Sequence, residues 1–412
     1  MNSMLNVAPN KFLFKMVSIL APWPILGFDI VGLSTIYLCF LFLLFDVPFW
    51  YKLTTQCKFS NESMVWFFGV LSFCLYCLLI SNRPESLVIN FCMPAIFTLY
   101  VFFGIKKYGV NSYLLGLVAA SIFAIFQWTE VTFFTTEYFS VQNIISYFGE
   151  VKFGIAQPTG SVTISELITS LHRVSGSTAE PSSLTQMLFL SLPLFSSNPL
   201  LLAIILLGIF VSASKVTLIL GGVGVTLLIL WRLRLGAFAL FLAATLIFYF
   251  FVGQALLNKF ESRKAILDYS PSIYMRFVPV FFYENLPLYS KIFGVGKYGA
   301  CQLADKTWQE ETETKSGYIN FEKQENCFMT NFSGVGSLLV DFGMIGILAT
   351  AMLFTFLPGQ KTKSVWKYLL RNKYSILYFW WFLSFLNIYI LTFVPASYYF
   401  LGWIFSLEKR NA

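Results

Sequence analysis

Few side chains in this sequence are suited to chemistry, and three of the most distinctive are cations. Arg173 lies in Leu171-His-Arg-Val-Ser-Gly-Ser-Thr-Ala-Glu-Pro-Ser-Ser-Leu184, a polar stretch that runs straight into an apolar one. Lys215 follows Ser212-Ala-Ser214 and opens another apolar stretch, and Arg276 sits in Ser270–Glu284. A guanidinium presents a planar fork that matches phosphate oxygens two at a time. Helix beginnings add unpaired backbone amides that favour an anion. Ser182 and Ser183 open one apolar helix, and Ser212, Ser214 and Lys215 open another; both beginnings are expected on the same side. Arg173, Lys215 and Arg276 together fit a clamp for a diphosphate. The competing reading is a solvated loop in which His172 and Arg173 merely favour a helix C-terminus. For Lys215 it is a long stem reaching from apolar surroundings to their edge.

Other patterns exclude chemistry. Gly294-Val-Gly-Lys-Tyr-Gly299 matches G-x-G-x-x-G, but no strand or βαβ unit surrounds it, so a dinucleotide site is not expected. It reads as a turn in which backbone approaches a ligand closely, Gly294 and Gly296 being the residues concerned. A single histidine rules out paired-histidine zinc sites. No D-x-D occurs, and Glu310, Glu311 and Glu313 read as a solvated face. No metal or cofactor is expected.

The elements that must hold these residues are written in the composition. Of 412 residues, 57% are hydrophobic and 12% charged, with mean hydropathy +0.71. A soluble chain would carry about a quarter charged residues. Apolar runs recur, and a helix needs roughly 20 such residues to cross a bilayer. The expectation is an all-α polytopic membrane protein with about 12 transmembrane helices, because backbone in lipid must bond within itself. Helical spans are expected near Phe12–Leu26, Ile30–Phe49, Met64–Ser81, Leu87–Ile105, Ser112–Phe134, Leu184–Phe195 and Leu200–Ser212. The Pro22 and Pro24 pair is expected to bend the first, and Ser196-Ser-Asn-Pro199 to turn between the last two. Further spans are expected after Lys215, over Ala237–Leu256 and Gly334–Leu357, and as a pair broken near Pro395. Residues 1–134 form the first helical block and 135–183 an outer loop. Residues 184–257 form a central block, 258–332 a large outer loop, and 333–412 the last block. The large loop is charge-balanced, with nine Lys/Arg and nine Asp/Glu. Its Ile273, Phe277, Val280 and Phe281 follow helical spacing. Met1–Lys15 lacks the features of a cleaved signal peptide.

Net charge is +8, and its placement matters more than its size. Under this segmentation one side carries 15 basic and 3 acidic residues, the other 13 basic and 16 acidic. Cytoplasmic loops are enriched in Lys and Arg, so N and C termini are expected in the cytoplasm and both large loops outside. The surplus is a topology signal, and no nucleic-acid partner is expected. Cys301 and Cys327 share the outer loop, where a disulfide and two free thiols are both open readings; Cys57 is expected to be cytoplasmic and reduced.

In order and topology these features resemble the O-antigen polymerase and ligase superfamily. Arg173–Ser183, an Arg-x-x-Gly followed by Glu-Pro-Ser, resembles the polymerase loop before a membrane span. Ser212-Ala-Ser-Lys215, with a glycine-bearing span and the Arg232/Arg234 turn, resembles the family's Ser-Arg element, with Lys in place of Arg. Arg276, Pro287, Gly294-Val-Gly296 and Gly334–Gly346 resemble its large periplasmic loop and re-entry helix. Ligases carry a histidine at the end of that loop; Cys327-Phe-Met-Thr-Asn-Phe-Ser333 has none, which favours polymerase.

The resemblance implies a bacterial inner-membrane enzyme with its site facing the periplasm. It would move a growing glycan from undecaprenyl diphosphate onto a lipid-linked repeat unit, without metal or nucleotide. Undecaprenyl-diphosphate-linked oligosaccharide would be both donor and acceptor; the bilayer, a chain-length regulator and a flippase would be its other partners. Arg173 and Arg276 would stabilise the departing diphosphate, assisted by Lys215, with Ser182, Ser212, Ser214, Gly294 and Gly296 lining the substrate. Glu180 would take the acceptor proton, with His172 as second candidate. The rivals are O-antigen ligase, with lipid A-core as acceptor, and a twelve-span flippase or transporter. A lipid-sugar glycosyltransferase with an acidic pair in its first outer loop does not fit, because that loop is only a turn near Asp29.

Overall fold

The computed structural model describes residues 7–24, 26–29, 35–56, 84–134, 181–195, 198–212, 286–296, 339–347 and 394–408, with isolated positions at 72, 75–76, 79, 177, 283, 377 and 380–381. This part is predominantly helical, with one short antiparallel ribbon. The chain divides into two compact units that interleave in sequence. One takes Met1–Lys58, Met93–Ile229 and Phe393–Ala412; the other takes Phe59–Cys92 and Leu230–Thr392.

In the first unit, helix α1 (Lys11–Leu20) starts where the Asn10 side chain accepts hydrogen bonds from the Phe12 and Leu13 amides at 2.9 and 3.3 Å. Such a cap satisfies backbone donors that the first turn leaves open. Phe14 and Val17 form its buried face. The helix stops at Leu20, with Ala21 as its C-cap, so the Pro22 and Pro24 pair follows the helix and does not bend it. A proline amide cannot continue the ladder.

The expected span Ile30–Phe49 is not one helix. Strands β1 (Gly27–Asp29) and β2 (Thr35–Tyr37) pair antiparallel, with Gly27 opposite Tyr37 and Asp29 opposite Thr35. Helix α2 (Leu38–Leu44) follows, and α3 (Val47–Gln56) departs from it at 57°. Asp46 makes the break. Its amide still bonds to the Leu43 carbonyl at 3.2 Å, while its carboxylate turns to cap the next helix. Pro48 lacks an N–H, which costs nothing in the first turn of α3.

Helix α4 (Pro84–Tyr108) and helix α5 (Asn111–Thr129) are joined by Gly109, whose φ of 75° and amide bond to Ile105 close α4. A π-helical turn, Glu130–Phe134, extends α5. Together Asn111–Phe134 make 24 residues, long and apolar enough to cross a bilayer. Helices α6 (Pro181–Phe195) and α7 (Pro199–Val211) form a tight hairpin, in which the Asn198 side-chain Oδ1 accepts from the Leu201 amide at 3.2 Å. At 15 and 13 residues both are short. Pro199 and Asn198 sit where helix starts favour them.

Packing sets the directions. Tyr108 donates to the Pro9 carbonyl at 2.8 Å while Phe14 lies on Gly104, so α1 and α4 run antiparallel. Ile19 meets Gly116, and Trp23 meets Phe123 at 5.6 Å, so α1 and α5 run parallel. Gly208 of α7 nests against Ser121 of α5 and Leu188 of α6. Helix α9 (Pro395–Glu408; α8 is Leu288–Phe293) also packs in this unit, its Gly402 lying against Thr98 and Val101 of α4. Its Tyr399 stacks on Tyr113 at 3.8 Å and donates to Ser18, which donates in turn to the Phe14 carbonyl.

A methyl group on Gly116 would lie 2.5 Å from the Ile19 carbonyl oxygen. Backbone cannot yield as a side chain would, so Gly116→Ala is expected to separate α1 from α5 at a cost of about 1–3 kcal/mol. Thermal denaturation of the purified protein reads this directly.

In the second unit, helix α8 (Leu288–Phe293) begins after Pro287 and ends at Gly294. The extended Gly294-Val-Gly296 then docks on the helical residues 339–347. The Val295 amide donates to the Val340 carbonyl at 3.1 Å, and Gly296 to Asp341 at 2.8 Å. Tyr76 donates to the Phe293 carbonyl. The expected span Gly334–Leu357 is described only at 339–347, and its Gly343 adopts φ 63°, outside the helical region.

Candidate functional site

Of the residues selected from sequence, His172, Arg173, Glu180, Ser214, Lys215 and Arg276 lie outside the described residues, as do Cys301 and Cys327. Four are described. Ser182 is in the first turn of α6, Ser212 caps the end of α7, and Gly294 and Gly296 belong to the second unit.

The hairpin brings the Ser182 turn and Ser212 to one end. Thr185 and Ser212 are buried, with their hydroxyl oxygens 2.6 Å apart. Ser212 is also within hydrogen-bonding distance, 2.7 Å, of the Ile209 carbonyl. The pair fastens α6 to α7 where both would otherwise fray. The same end receives α1: the Ser177 hydroxyl, four residues before α6, donates to the Pro22 carbonyl at 2.7 Å. Because α5 runs parallel to α1, its C-terminal Gln127 and Glu130, both buried, are carried toward this end as well.

Gln186 completes the group. It is 1% exposed, and neither its amide oxygen nor its amide nitrogen has a hydrogen-bond partner among the described residues. Sequence reasoning concentrated on charge and missed Thr185, Gln186, Gln127 and Glu130. The signal was present: polar side chains inside apolar runs are costly and mark function or pairing.

Gly294 and Gly296 lie against the backbone of the helical residues 339–347. Their φ values are both 79°, and a Cβ on Gly294 would run into the Asp341 carbonyl. The glycines let one stretch of backbone lie against another.

A second polar centre was counted in the sequence only as a charge. Asp46 is buried, and its carboxylate accepts from the Asn10 amide at 2.6 Å, the Tyr100 hydroxyl at 3.0 Å and the Phe49 amide at 3.4 Å. Phe14, Phe49, Trp50 and Tyr100 enclose it in a ring of aromatic contacts. Burial, and then the nearby Asp46 carboxylate, raise the Tyr108 phenol above its ordinary pKa, and its hydroxyl donates to the Pro9 carbonyl. Asp46→Ala leaves three donors unmet in an apolar setting. A cost of about 3 kcal/mol is expected, with Asp46→Asn recovering part of it because its oxygen still accepts. Thermal denaturation of the two variants side by side checks this order.

Among the described residues no group of three or more His, Cys, Asp and Glu side chains is placed to hold a metal ion. Cys39 is a buried thiol and Cys92 an exposed one. Comparison with family models, with curated proteins and with solved structures gives no match.

Proposed function

We propose that this chain is a multi-pass bacterial inner-membrane protein of about twelve spans, and a glycan polymerase of the O-antigen type. The observation that carries the reading is the gathering of polar groups at one end of helices whose flanks are apolar. Helix α7 contains no polar residue, yet it exposes Leu200, Leu206, Leu207 and Phe210; α5 exposes Leu115 and Phe126. Such faces suit lipid. The polar end, at Thr185, Gln186 and Ser212, is also the end that the loop carrying His172, Arg173 and Glu180 enters. A transporter would place its polar residues at mid-membrane between related repeats.

In the proposed reaction the acceptor sugar hydroxyl attacks the anomeric carbon of the donor. The carbon–oxygen bond to the lipid diphosphate breaks, and the electron pair leaves with the diphosphate. Arg173 and Arg276 stabilise the charge that grows on the leaving group, assisted by Lys215. Glu180 takes the hydroxyl proton, and His172 is the alternate base. Neither metal nor nucleotide takes part.

Deletion of the gene in its host tests the class. Loss of long chains with single repeats retained on lipid A-core supports polymerase; loss of the single repeat as well means ligase or flippase. Topology has its own test, in single-cysteine variants labelled in whole cells with an impermeant thiol reagent. Cys57 is expected to stay unlabelled and Cys301 to react. The reverse pattern would turn the protein over in the membrane and place the proposed site on the wrong face.

A further inference from the structure

We infer that the end of the first unit where α1 and α3 begin and α4 finishes is a docking surface for anionic phospholipid headgroups. The inference rests on the membrane placement proposed above and is independent of the polymerase chemistry.

Asp46 and its neighbours draw the three helices to this end. The Asn10 amide, just before α1, bonds to the Asp46 carboxylate, just before α3, and the Tyr100 hydroxyl of α4 bonds to the same group. Tyr108, at the end of α4, donates to Pro9. Six lysines and no arginine occur among the described residues. Five of them, Lys11, Lys15, Lys52, Lys106 and Lys107, lie on these three helices, and the sixth, Lys291, is in the other unit. Lys11, Lys15, Lys52 and Lys107 are exposed, and none of the four is in an ion pair among the described residues. Helices α1 and α3 and residues 93–108 of α4 contain no Asp or Glu, and Asp46 is buried among its donors. The positive charge is therefore left facing outward.

Apolar side chains are exposed beside these cations. Phe12 follows Lys11 and Tyr51 precedes Lys52, and they are 66% and 68% exposed. Phe45 and Val47, on either side of Asp46, are 71% and 65% exposed. One partner has to take up hydrocarbon and neutralise positive charge on an open surface. A soluble anion meets only the lysines, and acyl chains alone meet only the apolar residues. An anionic phospholipid supplies both, with its phosphate level with the lysine ends and its chains just beneath. Tyrosine suits that boundary for the same reason. The 57° break at Asp46 turns α3 away from α2, as a helix lying along the headgroups requires.

The test uses the full-length protein reconstituted in phosphatidylcholine vesicles, with spin-labelled phosphatidylglycerol and spin-labelled phosphatidylcholine compared as probes. One variant carries Lys11→Gln, Lys15→Gln, Lys52→Gln and Lys107→Gln; exposed positions tolerate such changes with little loss of stability. A control carries Lys297→Gln, Lys306→Gln, Lys315→Gln and Lys323→Gln and removes the same charge from the 258–332 loop. Wild type and control are expected to prefer phosphatidylglycerol about fivefold, the equivalent of about 1 kcal/mol for a lysine at an anionic surface. The first variant is expected to prefer neither lipid, and arginine at its four positions to restore the preference. Undiminished preference in the first variant, equal loss in the control, or a loss that arginine does not reverse overturns the surface and leaves the membrane placement standing. A preference abolished by inorganic phosphate at constant ionic strength means a soluble-anion site, which also overturns it. A protein that carbonate strips from the vesicles removes the membrane placement and the inference with it.

Discussion

Arg173→Ala and Arg276→Ala are each expected to abolish long glycan chains while single repeats still reach lipid A-core. Removing one group that stabilises charge in a transition state typically costs on the order of 10² to 10³ in rate. A processive polymer magnifies that loss, because every added unit passes the same barrier. The double variant should be little worse than either single one, since in the proposed reaction both cations act on one diphosphate and such effects do not add. Lysine at either position restores charge without the fork, so partial recovery with shortened chains is expected. Chain-length ladders on gels read all five strains. Normal ladders in both alanine variants would separate these arginines from the chemistry.

Gly343→Ala is expected to be the most damaging of the small substitutions, for a reason that has nothing to do with the site. Gly343 has φ 63°, and a Cβ there would strike the Ile292 carbonyl and lie 2.6 Å from the Gly294 amide. The strain of a positive φ and the collision with backbone act together, and a cost of about 2–4 kcal/mol follows. The collision falls on the clamp in which Val295 and Gly296 donate to Val340 and Asp341. Gly109→Ala supplies the control. Its φ is 75°, but a Cβ there would have nothing within 4 Å, so only the backbone strain applies. Thermal stability in detergent should therefore rank wild type above Gly109→Ala, and Gly109→Ala above Gly343→Ala. Equal losses at the two glycines would mean that the clamp contributes nothing.

How far the sequence revealed this arrangement depends on whether local signals or tertiary partners decide each part. Helix starts at Pro181, Pro199 and Pro395 fall within a few residues of their expected places, because proline and a preceding cap act locally. The segment Ile30–Phe49 misled because a continuous apolar run has the same appearance as strand or helix. Its ribbon and its break at Asp46 depend on partners elsewhere, among them the Asn10 amide and the Tyr100 hydroxyl. Ser212 was read both as the end of one helix and as the opening of the next, and it caps the end of α7; its bond to Thr185 was not legible, since 27 residues separate them. Gln186 was hidden for another reason: burial without a partner is a property of the fold. The glycines at 294 and 296 were recognised as a close approach of backbone, while what they approach, the carbonyls of residues 340 and 341, lies more than forty residues away in sequence.

The most direct measurement reconstitutes the purified protein in proteoliposomes with undecaprenyl-diphosphate-linked repeat units as the sole sugar source, in the presence of EDTA and without nucleotide. The expected result is a ladder of lengthening glycans on the lipid and release of undecaprenyl diphosphate in step with each linkage formed. Repeat units that remain single, or a ladder that stops when EDTA is added, would contradict a metal-independent polymerase.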